Sequence, residues 1–221
     1  MKIGWRRLLA EGLGTFGLVF AGCGAVVANE LSGGAVTHVG VSIVFGAIVM
    51  MMIVAFGPIS GAHINPAVTI AFWAARQLEA REVVPFILAQ CGGALAAAAT
   101  LRGLYPEATT LGATLPIGGV GPAFAMEVLL TTILMLVIMA CAVGHQLSAF
   151  FAGLTIGGTV ALCALFGGPL TGASMNPARS LGPAVVSGDV SVLWLYCAAP
   201  VLGALVAVFL HRLIWAETAV D

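Results

Sequence analysis

The chain has 221 residues, of which 61% are apolar and only 8% charged, with a formal net charge of −1. Soluble domains carry about 25% charged residues, so the composition excludes an ordinary soluble fold and points to a membrane protein. The balanced charge and the lack of a basic tract exclude a nucleic-acid partner.

A spanning helix needs roughly 20 apolar residues. Six runs come up to that length, at about 8–29, 36–57, 82–104, 122–143, 149–167 and 191–214. The first is long enough to be a span rather than a cleavable leader. Two shorter apolar pieces, 66–74 and 177–186, follow an asparagine and begin at or beside a proline, and are too short to cross. Lys2, Arg6 and Arg7 precede the first span, Arg76 and Arg81 flank the start of the third, and Arg212 ends the sixth. Arg102, Glu30, Glu107 and Asp189 fall on the other side. The positive-inside rule then predicts cytoplasmic termini, in the plasma (inner) membrane.

The two halves repeat one pattern. "AEGLGT" opens the first span and "MEVLLT" lies in the fourth, each with a glutamate four residues before a threonine. Each half then continues with a second span, a short Asn-Pro-Ala piece and a third span. Three spans per half is odd, so the second copy inserts upside down. The expected fold is therefore an all-α membrane protein: six transmembrane helices plus two re-entrant half-helices, one channel domain with inverted repeats at 1–110 and 118–221.

The paired "GAHINPAV" (61–68) and "GASMNPAR" (172–179) carry the chemistry. Proline is favoured at the first helical position and asparagine before it is a good cap. Each motif thus starts a half-helix with a free positive end. Irregular backbone at membrane depth is tolerated only inside protein or along a wet cavity. Two half-helices entering from opposite faces bring Asn65 and Asn176 together near the midplane, with Pro66, Ala67, Pro177 and Ala178 behind them. The carbonyls of Gly61, Ala62, His63, Ile64, Gly172, Ser174 and Met175 are expected to line the path. Arg179 is a charge inside the membrane slab, which costs ~2.5–3.5 kcal/mol or more unless it faces a cavity.

On these motifs the chain resembles the aquaporin, or major intrinsic protein, family over nearly its whole length. The stretches "FAGCGAVV", "HINPAVTIAF", "TLRGLY" followed by "LGATLP", and "GASMNPARSLGPA" resemble the plant nodulin-like branch. The resemblance implies one pore per chain, a homotetramer in the lipid bilayer, and passage of water and small neutral solutes such as glycerol, urea, boric acid or arsenite. It also implies a four-residue constriction of Phe45, Ala164, Ala173 and Arg179. Phe45 lies 20 residues before Asn65, and Ala164 stands where water-specific members carry histidine, 12 residues before Asn176. Pro169 keeps the family spacing. Two methyl walls imply a wider, less polar opening than a water filter. The set also departs from glycerol facilitators, which have two aromatics, and from many nodulin-like members, which carry tryptophan or alanine at the Phe45 position and a branched residue at the Ala164 position.

Glu11 and Glu127 are buried carboxylates, and their matched placement predicts that each braces a half-helix. The competing reading is a proton-coupled transporter using one of them. His63 reads as a loop brace or a pH-sensing group, His145 as a short-loop residue with a gating role as the alternative, and His38 and His211 as solvated span ends. The five cysteines lie in apolar segments with no CxxC pair and read as small buried hydrophobes. No metal-ligand spacing, Ser-His-Asp pattern or phosphate loop is present in the sequence, so no cofactor and no enzyme activity are expected.

Overall fold

The computed structural model describes residues 4–215; Lys2 and the last residues of the second repeat lie outside them. The order is α1 (Trp5–Leu31), α2 (Thr37–Ser60), α3 (Pro66–Ala74), α4 (Ala80–Leu104), α5 (Val120–Met139), α6 (Ala149–Thr171), α7 (Pro177–Ser187) and α8 (Leu193–Trp215). A single π turn, Ala140–Gly144, extends α5. With that turn, six of these helices are long and apolar enough to cross a membrane. Each set of four runs long, long, short, long.

Two helices continue past the proline at which the apolar run stops. The runs end at 57 and 167, but α2 and α6 reach Ser60 and Thr171, through Pro58 and Pro169. A proline costs a helix one i→i−4 hydrogen bond. The carbonyl left over below Pro169 is that of Leu165, and His38 Nε2 lies 2.9 Å from it. His38 is therefore not merely solvated: it satisfies a carbonyl that Pro169 cannot. Each of the two helices then stops at a left-handed glycine, Gly61 (φ 92°) and Gly172 (φ 84°), whose N–H returns to the carbonyl four residues back.

The long helices pair as α1 with α4, α2 with α6, and α5 with α8. Lipid is as apolar as leucine, so close backbone approach has to hold such pairs together. Gly46 and Gly157 make the α2–α6 approach possible. A Cβ added to either would sit 2.5 Å from the other's carbonyl oxygen. Gly157→Val is accordingly expected to push α2 from α6 and cost about 1–3 kcal/mol of stability. Thermal unfolding in detergent checks this, and an unchanged midpoint would mean the crossing tolerates a side chain.

The ends of the short helices follow from two arginines. Arg7, at the start of α1, pairs with Glu82 at the start of α4. Arg212, in the last turn of α8, donates to the Ala74 carbonyl at the end of α3. So α3 runs from the middle of the bundle to the end where α1 begins and α8 finishes. α7 ends five residues before α8 starts, at the opposite end. His211, expected to be solvated, is instead buried against α8's own terminus, stacked on Trp215 with ring centroids 5.4 Å apart.

Candidate pore and its constriction

Both glutamates are fully buried, and each carboxylate accepts hydrogen bonds on both oxygens, two of them from the backbone of one loop. Glu11 Oε1 accepts from Ser60 Oγ (2.7 Å) and the His63 N–H (2.9 Å); Oε2 accepts from the Ile64 N–H (2.7 Å) and Gln90 Nε2 (2.8 Å). Glu127 Oε1 accepts from Thr171 Oγ1 and the Ser174 N–H, both 2.8 Å, and Oε2 from the Met175 N–H (2.8 Å). Thr15 and Thr131 bond back to the carbonyls of those same glutamates. The backbone these carboxylates grip is strained: Ala62, Ile64, Ala173 and Met175 all have positive φ, between 42° and 52°. Such conformations persist only where surrounding contacts over-determine them.

The strained loops deliver two capped helix starts to one point. Asn65 Oδ1 accepts from the Ala67 N–H (2.9 Å), and Asn176 Oδ1 accepts from the N–H groups of Ala178 (3.0 Å) and Arg179 (3.3 Å). The amide nitrogens cross over. Asn65 Nδ2 donates to the Met175 carbonyl (2.8 Å), and Asn176 Nδ2 to the Ile64 carbonyl (2.9 Å). Those two carbonyls, expected to face the path, are thus engaged by the opposite motif. Each amide keeps a second N–H, and both asparagines line the cavity. Pro66, Ala67, Pro177 and Ala178 stand behind them as the first turns of α3 and α7.

The cavity has a volume of about 400 Å³. Ala149, Ala152, Ile156, Val160 and Ala164 line it as one strip of α6, about 22 Å long at 1.5 Å per residue. Phe45, Val49, Ile53 and Gly57 do the same on α2. Gly61, Ala62, His63, Ile64, Ser174 and Met175 are also in its wall, but Gly172 is not. Gly172 packs toward Thr114, which an added Cβ would meet at 3.0 Å. The His63 ring stacks on Phe72 (4.6 Å between centroids), and its Nδ1 lies 3.1 Å from Thr69 Oγ1.

Phe45, Ala164, Ala173 and Arg179 all border the cavity and are each less than one-tenth exposed. Phe45 fits because Gly22 faces it; a Cβ there would run into the ring. The Arg179 guanidinium carbon sits 4.7 Å from the centroid of that ring. Nη1 donates to the Gly112 carbonyl at 2.7 Å and to Cys23 Sγ at 3.4 Å. Among the described residues no carboxylate pairs with Arg179, and its Nε is buried without a partner. Gln90, Gly112 and Cys23 escaped the sequence reading, because nothing in their local pattern marks them. Gly112 reaches the site through the docking of 105–119, Gln90 through that of α4, and Cys23 through the packing of α1.

An all-helical bundle with two broken helices meeting at a polar point inside an apolar cavity is the architecture of a transmembrane channel. The match to the family model "Major intrinsic protein" covers residues 1–211. The chain is 43% identical over 210 residues to aquaporin NIP1-3 of Oryza sativa subsp. japonica, covering 95% of this chain and 73% of that one. It is 41% identical to nodulin-26 of Glycine max over 210 residues, 95% and 78% of the two chains. The solved aquaglyceroporin from Plasmodium falciparum superposes with a TM-score of 0.90 at 25% identity, covering 98% and 99%. The chain belongs to the major intrinsic protein family. It is an integral membrane channel for water and small solutes, not an enzyme.

Proposed function

We propose that the pore passes small uncharged solutes of the glycerol, urea, boric acid or arsenite class along with water, and that Phe45, Ala164, Ala173 and Arg179 form its selectivity filter. The observation that carries this reading is what these four residues add to the cavity wall: one aromatic ring, two methyl groups and one arginine that pairs with no carboxylate among the described residues. The methyl groups leave width and apolar surface for a carbon backbone, while the arginine supplies donors to hydroxyl or carbonyl oxygens. Cations meet the arginine's charge, then the positive starts of α3 and α7. The spare N–H of Asn65 and of Asn176 both favour an oxygen at the midpoint.

One such pore per chain, built from inverted repeats 1–110 and 118–221, is proposed to assemble as a homotetramer. The membrane is proposed to be the plasma (inner) membrane, with cytoplasmic termini. Arg6, Arg7, Arg76, Arg81 and Arg212 gather at the end where α1 starts and α8 finishes, which supports that orientation. The coupled-transporter reading finds no support, since neither Glu11 nor Glu127 borders the cavity and both carboxylates accept hydrogen bonds on both oxygens.

Stopped-flow light scattering on reconstituted vesicles tests the proposal. Vesicles challenged with glycerol should shrink and then re-swell well above the bare-lipid rate, with rates indifferent to an imposed pH gradient. Fast shrinkage with no re-swelling in any neutral solute would leave a water-only pore.

A further inference from the structure

Arg179 is held on one edge only. Among the described residues, the hydrogen bonds that its side chain makes all leave from Nη1, to Gly112 and Cys23. Nε, in a residue only 4% exposed, has no hydrogen-bond partner among them. A guanidinium with five donors and one anchored nitrogen keeps its aim only if that anchor is fixed.

The anchor is a compact triangle. Cys23 is fully buried on α1, and its Sγ lies 3.8 Å from the Gly112 carbonyl oxygen, so the thiol accepts from the arginine and faces the same oxygen that the arginine bonds. Gly112 has φ +73°, and a Cβ there would fall 2.9 Å from Cys23 Cβ, so the segment lies directly on this residue. A helical hydroxyl at this place would turn back to the carbonyl one turn earlier, as Thr15 does on the same helix. A thiol bonds backbone weakly and stays available to the guanidinium.

We propose that Cys23 is a positioning residue for the pore: its thiol, together with the Gly112 carbonyl, aims Arg179 across the constriction and so sets the preference between polyol and water. The inference rests on reading Arg179 as the arginine of the filter. Without the thiol, the guanidinium swings about its bond to Gly112 and occupies space that a polyol needs, while water still passes.

The test is a double-mutant cycle of Cys23→Ala and Arg179→Val, read as the glycerol-to-water permeability ratio in vesicles. Cys23→Ala should lower the ratio about two- to tenfold, the range one modest hydrogen bond commands. Cys23→Ser, whose hydroxyl turns back to its own helix, should lower the ratio as the alanine variant does, and it carries the test if the alanine variant does not fold. In the Arg179→Val background, Cys23→Ala should change nothing. A ratio unchanged or raised, in folded protein, overturns the inference. So does an equal fall in both backgrounds, or water and glycerol fluxes falling together with the folded fraction, since each describes packing alone. If Arg179→Val itself leaves both permeabilities and the sodium leak as in the parent, the filter reading fails first, and that failure is separately visible.

Discussion

Ala164→His should close the pore to glycerol while leaving most of its water flux. The residue sits on the α6 strip of the cavity wall, and the proposed filter sets it beside Phe45 and Arg179. An imidazole replacing a methyl group fills width that a three-carbon chain needs. It also turns an apolar wall polar. Water can use a donor or acceptor in any orientation, but a polyol has carbons to shelter on the side away from the arginine. Loss of one well-fitted apolar contact is worth about ten- to two-hundredfold in discrimination, so re-swelling should slow by at least about tenfold. A single stopped-flow trace reports both rates, as shrinkage and re-swelling. Re-swelling as fast as in the parent would remove Ala164 from the constriction and with it the four-residue filter.

The other large effect belongs to Glu127. Glu127→Ala strips the partners from the N–H groups of Ser174 and Met175 at one stroke and leaves the Thr171 hydroxyl only a long bond to the Gly167 carbonyl. Each orphaned buried donor costs ~1–3 kcal/mol, and the positive-φ backbone at Ala173 and Met175 loses what holds it. Water and solute flux should therefore fall together, by about tenfold or more, with thermal stability falling too. Glu127→Gln keeps one acceptor oxygen and should lie between the variant and the parent. Parent-like flux and stability in Glu127→Ala would mean the half-helix α7 holds itself in place, which would sink the brace reading. The same substitution at Glu11 should be about as severe, since it strips the Ser60 hydroxyl and the His63 and Ile64 N–H groups, while Gln90 keeps its bond to Thr69 at 2.9 Å.

Much of this was legible in the residues because membrane solvent makes polar groups conspicuous. Asn65, Asn176 and Arg179 stand out in a chain with so few charges, and the start of α3 at Pro66 and of α7 at Pro177 follows from capping chemistry alone. The apolar walls were not legible. The strips on α2 and α6 that line the cavity look the same as the lipid-facing strips, because both kinds of surface are apolar and no amphipathic contrast remains. The apolar runs fade at about 57 and 167, a few residues short of the helix ends at Ser60 and Thr171, because apolar length does not register the turn that continues through Pro58 and Pro169; His38 satisfies the carbonyl below the second of these. Cys23 looked like one more small hydrophobe until the arginine arrived beside it.

The exchanged bonds at the midplane bear on how the chain is made. Asn65 reaches Met175, 110 residues away in sequence, and Asn176 reaches Ile64, 112 residues away. When the ribosome has released only the first half, the Ile64 carbonyl and the Asn65 amide have no mates, in a place where bare polar groups are costly. The first short helix can be tethered by Glu11 but not completed until its counterpart is synthesised and inserted from the other face. Closing so long a loop is slow relative to local helix formation. The crossed pair of bonds that closes the midplane thus draws one partner from each half of the chain, and forms only after both have been made.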